Sequence, residues 1–87
     1  MLKITATSAA GVATLKLEGK ILAPWVGEVR EACAAAAALA PATRLDLAGI
    51  TFVDLAGAQL LRELIASGVK IVSPSRFVAE LLHTLNP

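Results

Sequence analysis

The stretch RLDLAGITFVDLAGAQLLRELIASG, residues 44–68, decides the fold. Arg44-Leu45-Asp46-Leu47 alternates polar and apolar, the period of a strand buried on one face. Asp54 suits a helix N-cap, because its carboxylate accepts hydrogen bonds from the first free backbone N–H groups. Gly68 suits the helix end, because glycine enters the left-handed conformation without steric cost. Residues 44–48 therefore read as a strand, 55–67 as a helix, and Gly49 to Val53 as an exposed loop between them. A helix start carries unpaired donors and a partial positive charge, so such a junction is a place where ligands or partners dock. Asp54, Leu55, Ala56 and Gly57 stand at it.

Upstream, Leu2, Ile4 and Ala6 alternate with Lys3, Thr5 and Thr7, and Ala13, Leu15 and Leu17 alternate with Thr14, Lys16 and Glu18. Ser8-Ala9-Ala10-Gly11 supplies turn residues between them, so the pair reads as an antiparallel hairpin. Pro24 fits the first turn of a helix, and Pro41 ends it. Trp25, Val26, Val29, Ala32, Cys33, Ala36 and Ala40 share one face of that helix. Downstream, Val69 to Val72 reads as a short strand. Ser73-Pro74 starts a last helix carrying Phe77, Val78, Leu81, Leu82 and Leu85.

Strands covered on both faces read as continuous apolar runs. These alternate, so one sheet face is expected to be packed and the other solvated, with Lys3, Thr5, Thr14, Lys16, Glu18, Arg44 and Asp46 on the open side. Right-handed crossovers place both linking helices on the same face. The expected strand order is 1-2-3-4 with strand 1 antiparallel. Asp46 is expected to pair across strands with Lys16 or Lys70.

Eighty-seven residues imply one domain spanning 1–87, burying about 60% of its unfolded surface. The chain is 56% apolar, but 18 of those residues are Ala, so 14 Leu carry most of the packing. A net charge of +1, with basic residues scattered, gives no case for nucleic acid. No run reaches the roughly 18 apolar residues of a membrane span, and the N-terminus lacks a secretory signal, so no membrane insertion is expected. Cys33 is the single cysteine and excludes an intramolecular disulfide. On an apolar helix face it acts as a small hydrophobe. His83 has no Ser or Cys signature near it, and the six glycines form no phosphate-loop fingerprint. No catalytic residue, metal ligand or cofactor is expected.

Leu45-Asp46-Leu47-Ala48-Gly49, Val53-Asp54 and Gly57, followed by Leu60-Leu61 and Leu64, resemble the STAS domain, the fold of bacterial anti-sigma factor antagonists. Leu15 to Lys20 and Ser73-Pro74-Ser75 resemble its second strand and last crossover. The resemblance implies an α/β domain: a STAS-like open mixed sheet of about four strands, a β-hairpin followed by βαβα, with helices on one face. It implies a cytoplasmic, non-enzymatic protein that binds an anti-sigma factor or kinase-like ATPase and so regulates transcription. The partner-facing residues would be Ile50, Thr51, Phe52, Asp54, Leu55, Ala56 and Gln59, and a weak homodimer is compatible with the reading. Many members carry a phosphate-accepting Ser or Thr at the positions of Leu55 and Ala56. Here neither has a hydroxyl, so no phosphoacceptor is expected. Lys20 and Leu22 stand where members often carry Glu and Asp. Members also continue with another strand and helix, whereas this sequence ends at Asn86-Pro87. The alternatives are a cytoplasmic subunit of an ABC-type lipid transporter and a scaffold in a signalling complex.

Overall fold

A computed structural model describes residues 2–85, without the side chain of Leu85. Asn86 and Pro87, and the expectation attached to them, lie outside the described residues. The order is β1 (Leu2–Ala9), β2 (Val12–Ile21), α1 (Ala23–Leu39), β3 (Ala42–Val53), α2 (Leu55–Ala66), β4 (Lys70–Val72) and α3 (Arg76–Leu85). The four strands form one sheet in the order β1-β2-β3-β4. β1 is antiparallel to β2; β2, β3 and β4 run parallel.

The hairpin turn is Ala10-Gly11, with positive φ at both residues, 53° and 78°. That geometry belongs to the two-residue turn whose twist matches a right-twisted hairpin. Gly11 adopts it freely, whereas Ala10 carries strain of about 1 kcal/mol. Inward positions on β2 are Ala13, Leu15, Leu17 and Ile21, all at 5% exposure or less. Facing them come Val29, Cys33 and Ala36 of α1, and Ala58, Leu60, Leu61 and Leu64 of α2. The buried residues of α1 are all small, so that face adds little apolar area. Arg30 and Glu63 join the two helices at 2.7 Å, but both are more than half exposed, so the pair contributes at most about 1 kcal/mol.

The third strand departs from the sequence expectation. It runs from Ala42 to Val53, not 44–48, and absorbs the supposed loop. The register explains how. Lys16 pairs with Asp46 and Glu18 with Gly49, then Gly19 with Ile50 and Lys20 with Phe52. β3 therefore holds one extra residue at each of two bulges. Its buried positions, Leu45, Leu47, Ile50 and Val53, are consequently spaced two, three and three apart. The Asp46 Oδ1 accepts from the Ala48 N–H at 3.1 Å inside the first bulge. It does so in place of the expected charge pair; Lys16 is its register neighbour but not its ion partner. At the second bulge the Thr51 hydroxyl donates to the Gly19 carbonyl at 3.2 Å.

β4 pairs only with Arg44–Asp46, leaving the rest of that β3 edge without a strand. α3 takes the place. Its cap is Ser75, not Ser73: the Ser75 Oγ accepts from the Val78 N–H at 3.2 Å, and the Ser75 N–H donates to the Leu47 carbonyl at 3.1 Å. A helix laid along an edge removes it as a pairing template. Val78 enters the core at 0% exposure, while Phe77 stays 38% exposed.

Candidate functional site

β2 and β3 end side by side, with Ile21 in register with Val53. α1 starts two residues after Ile21, and α2 starts two residues after Val53. Two helix N-termini thus open at the same end of the sheet. One carboxylate serves both. The Asp54 Oδ1 accepts from the Gly57 N–H at 2.8 Å, the expected cap of α2. The Asp54 Oδ2 accepts from the Ala23 N–H, also at 2.8 Å, at the first residue of α1. The residue at the α1 cap position is Leu22, whose side chain has no oxygen to offer, so α1 takes its cap from 31 residues away. The Asp54 backbone N–H donates to the Ile21 carbonyl at 3.2 Å. Asp54 is therefore a structural joint, with both oxygens committed.

Asp54→Ala removes a cap worth about 0.5–2 kcal/mol and a second bond from an ionised acceptor, a class worth about 1.5–3 kcal/mol. The expected loss is about 2 kcal/mol, allowing for the solvent that reaches this half-exposed residue. Asp54→Asn should recover part of it, because one oxygen remains to cap α2. Equal urea midpoints for the Ala variant and the wild type would remove the shared cap from the account.

Around this joint the sequence-derived residues divide. Leu55 is 76% exposed and Phe52 is 44% exposed; Thr51 and Gln59 are exposed, and Ala56 and Asp54 are half-buried. Ile50 does not reach the surface. It is an inward position of β3 at 1% exposure, because the first bulge turned the strand over before it. Phe77, counted in the sequence as an apolar face of the last helix, joins the site instead. Its ring lies 5.5 Å from that of Phe52, tilted by 39°. No local signal marks that pair, since it is made across a helix and a strand edge.

A concavity of about 710 Å³ lies at the opposite end of the sheet, lined by Arg30, Cys33, Ala37, Pro41, Leu64 and Lys70 among others. Burial pushes the Cys33 thiol above its ordinary pKa, so it is protonated and a poor nucleophile at neutral pH. Among the described residues, no three His, Cys, Asp or Glu side chains gather as a metal site requires. No described helix is long and apolar enough to cross a membrane.

The open mixed sheet with its crossover helices is a fold shared with solved anti-sigma factor antagonists. An anti-sigma factor antagonist from Mycobacterium paratuberculosis superposes with a TM-score of 0.83 at 19% identity, over 98% of this chain and 78% of that one. The unphosphorylated anti-sigma factor antagonist SpoIIAA gives 0.71 at 20% identity, over 95% and 80%. A protein of SpoIIAA-like fold from Shewanella loihica gives 0.61 at 14% identity, over 97% and 75%. No curated protein matches in sequence. The family profile described as Mlab, STAS domain matches residues 4–86, and the chain belongs to the STAS domain family.

Proposed function

We propose that residues 1–87 form a single cytoplasmic STAS domain that catalyses no reaction and works by docking another protein at the start of α2. The partner in this reading is an anti-sigma factor of the kinase-like ATPase type, whose capture frees a sigma factor for transcription. One observation carries the reading. Of the four large apolar side chains that stand exposed among the described residues, Phe52, Leu55 and Phe77 belong to the β3–α2 junction and the helix start beside it, and Leu39 lies elsewhere. Large exposed apolar groups gathered in one place mark an interaction site.

Ala56 occupies the position of the family's acceptor hydroxyl. With no hydroxyl at residues 55–57, a kinase and ATP should leave that turn unmodified, and the protein should stay competent to bind without a phosphatase. Ala56→Asp tests the docking surface. An Asp in the first turn of a helix is neutral or slightly stabilising, so thermal unfolding should barely move. Affinity for the cognate anti-sigma factor should fall tenfold or more, about 1.4 kcal/mol. Wild-type affinity in the Ala56→Asp protein would reject this surface. Binding to an ABC-type lipid transporter, with no affinity for any anti-sigma factor, would replace the proposed partner.

A further inference from the structure

The open sheet face is electrically distinct from the rest of the molecule. The register places Lys3, Lys16, Lys20, Arg44 and Lys70 on it, against only Glu18 and Asp46. All five cations are exposed, while both carboxylates are half-buried, and that of Asp46 is engaged by a backbone N–H. The face carries a net +3; the remaining three cations and five carboxylates leave −2 elsewhere, within a chain of net +1. The even overall charge hides this polarity.

Two details indicate what the face is for. Arg44 and Lys70 are register partners on adjacent strands. Like charges side by side on a sheet are destabilising, and an opposing acidic group relieves them. Lys20 is the register partner of Phe52, so the cationic face runs without a break into the Phe52–Phe77 pair, beside which Arg76 is also exposed. Four of the five cations are lysines, hydrated point charges on flexible stems. They suit a spread of carboxylates rather than one planar ligand. A single-stranded nucleic acid would ask for aromatic platforms across the face, and the face has Phe52 alone, at its rim.

We infer that the protein partner presents an acidic surface with an apolar anchor. The anchor seats on Phe52 and Phe77, and the carboxylates spread over Lys20, Lys16 and the Arg44–Lys70 pair. The inference rests on the reading that the chain works by docking a protein, and it extends the contact from the start of α2 across the open sheet.

The probe is a soluble Glu-rich peptide bearing one Trp, with a Lys-rich peptide of the same pattern as its control. Each is titrated into isotope-labelled protein and followed by amide chemical shifts. The variant is Lys20→Glu with Lys70→Glu; the second change faces Arg44 and turns that register pair into one of opposite charge. The acidic peptide should shift the amides of Lys16, Lys20, Phe52 and Lys70, the Lys-rich peptide should not, and the double variant should weaken binding at least tenfold. Raising salt should weaken it as well, since exposed charges are screened. Equal shifts from both peptides, or shifts confined to Leu55–Gly57, would overturn the acidic-surface inference while leaving docking at α2 intact. Sheet-face shifts that persist while Ala56→Asp leaves partner affinity unchanged would overturn the α2 reading alone. Co-sedimentation with phosphatidylcholine vesicles containing phosphatidylglycerol, lost in the double variant, would assign the face to a lipid surface instead and overturn the inference.

Discussion

Gly57→Ala should destabilise the protein by about 3 kcal/mol, at the upper end of the range for forcing extra methyl groups into packed contacts. The sign is the informative part. Inside a helix, Ala is ordinarily about 1 kcal/mol better than Gly. Here a Cβ on residue 57 would lie 2.5 Å from the Ile21 carbonyl oxygen, 2.8 Å from Val53 Cγ1 and 3.0 Å from Ile21 Cγ2. The first contact is to backbone, which has no rotamer to change. Relief requires lifting the first turn of α2 off the end of β2. That would stretch the Asp54 bonds to Gly57 and Ala23, so the clash and the shared cap fail together. Urea unfolding measures the loss, and a midpoint at or above the wild-type value would show that α2 does not need this close approach.

Leu61→Ala should cost about 2–5 kcal/mol, the range for truncating a buried leucine. Leu61 is 0% exposed and shares one buried cluster with Leu45, Leu47 and Leu60, all at 1% or less. The cost should fall high in the range, because Leu45 and Leu47 of that cluster belong to β3, whose bulged backbone is held by the Asp46 and Thr51 hydrogen bonds and cannot easily close on a void. In a domain of this size each 1 kcal/mol lowers the midpoint of thermal unfolding by roughly 4–8 °C. A loss below about 1 kcal/mol would place Leu61 outside a packed core.

These two residues show what the chain displays locally and what it hides. The core side of Leu45, Leu47, Leu61 and Leu64 follows from periods of two and 3.6 residues, because burial is the main term that periodicity encodes. The outward placement of Leu55 and Gln59 follows from the same wheel. Asp54 as the cap of α2 is equally local, since donor and acceptor lie three residues apart. Its bond to Ala23 is not local, and no short window can reveal it. The same holds for Phe77, which meets Phe52 only because β4 stops early and leaves β3 an edge to cover. Ile50 escapes the pattern for a different reason. Alternation assumes one residue per step on each strand, and β3 breaks that assumption twice. The sequence expectation starts α3 two residues early because Ser73, Pro74 and Ser75 all resemble helix starts. Ser73 instead takes a left-handed conformation, with φ of 48°, and only Ser75 is placed to accept from the helix.

The two bulges make β3 behave like a coding frame read by side-chain direction. Each extra residue exchanges inside for outside for everything that follows, and a second restores the original phase. Removing the extra residue of the first bulge would restore one-to-one pairing there and leave Ile50 opposite Gly19, facing inward. Val53 is already in phase with Leu45 and Leu47, because the second bulge restores what the first exchanged. A single-residue deletion among relatives is therefore expected to fall at a bulge, between Asp46 and Gly49 or between Ile50 and Phe52. Sequence comparisons that slide this segment by a single residue would exchange the core of the domain for its open face.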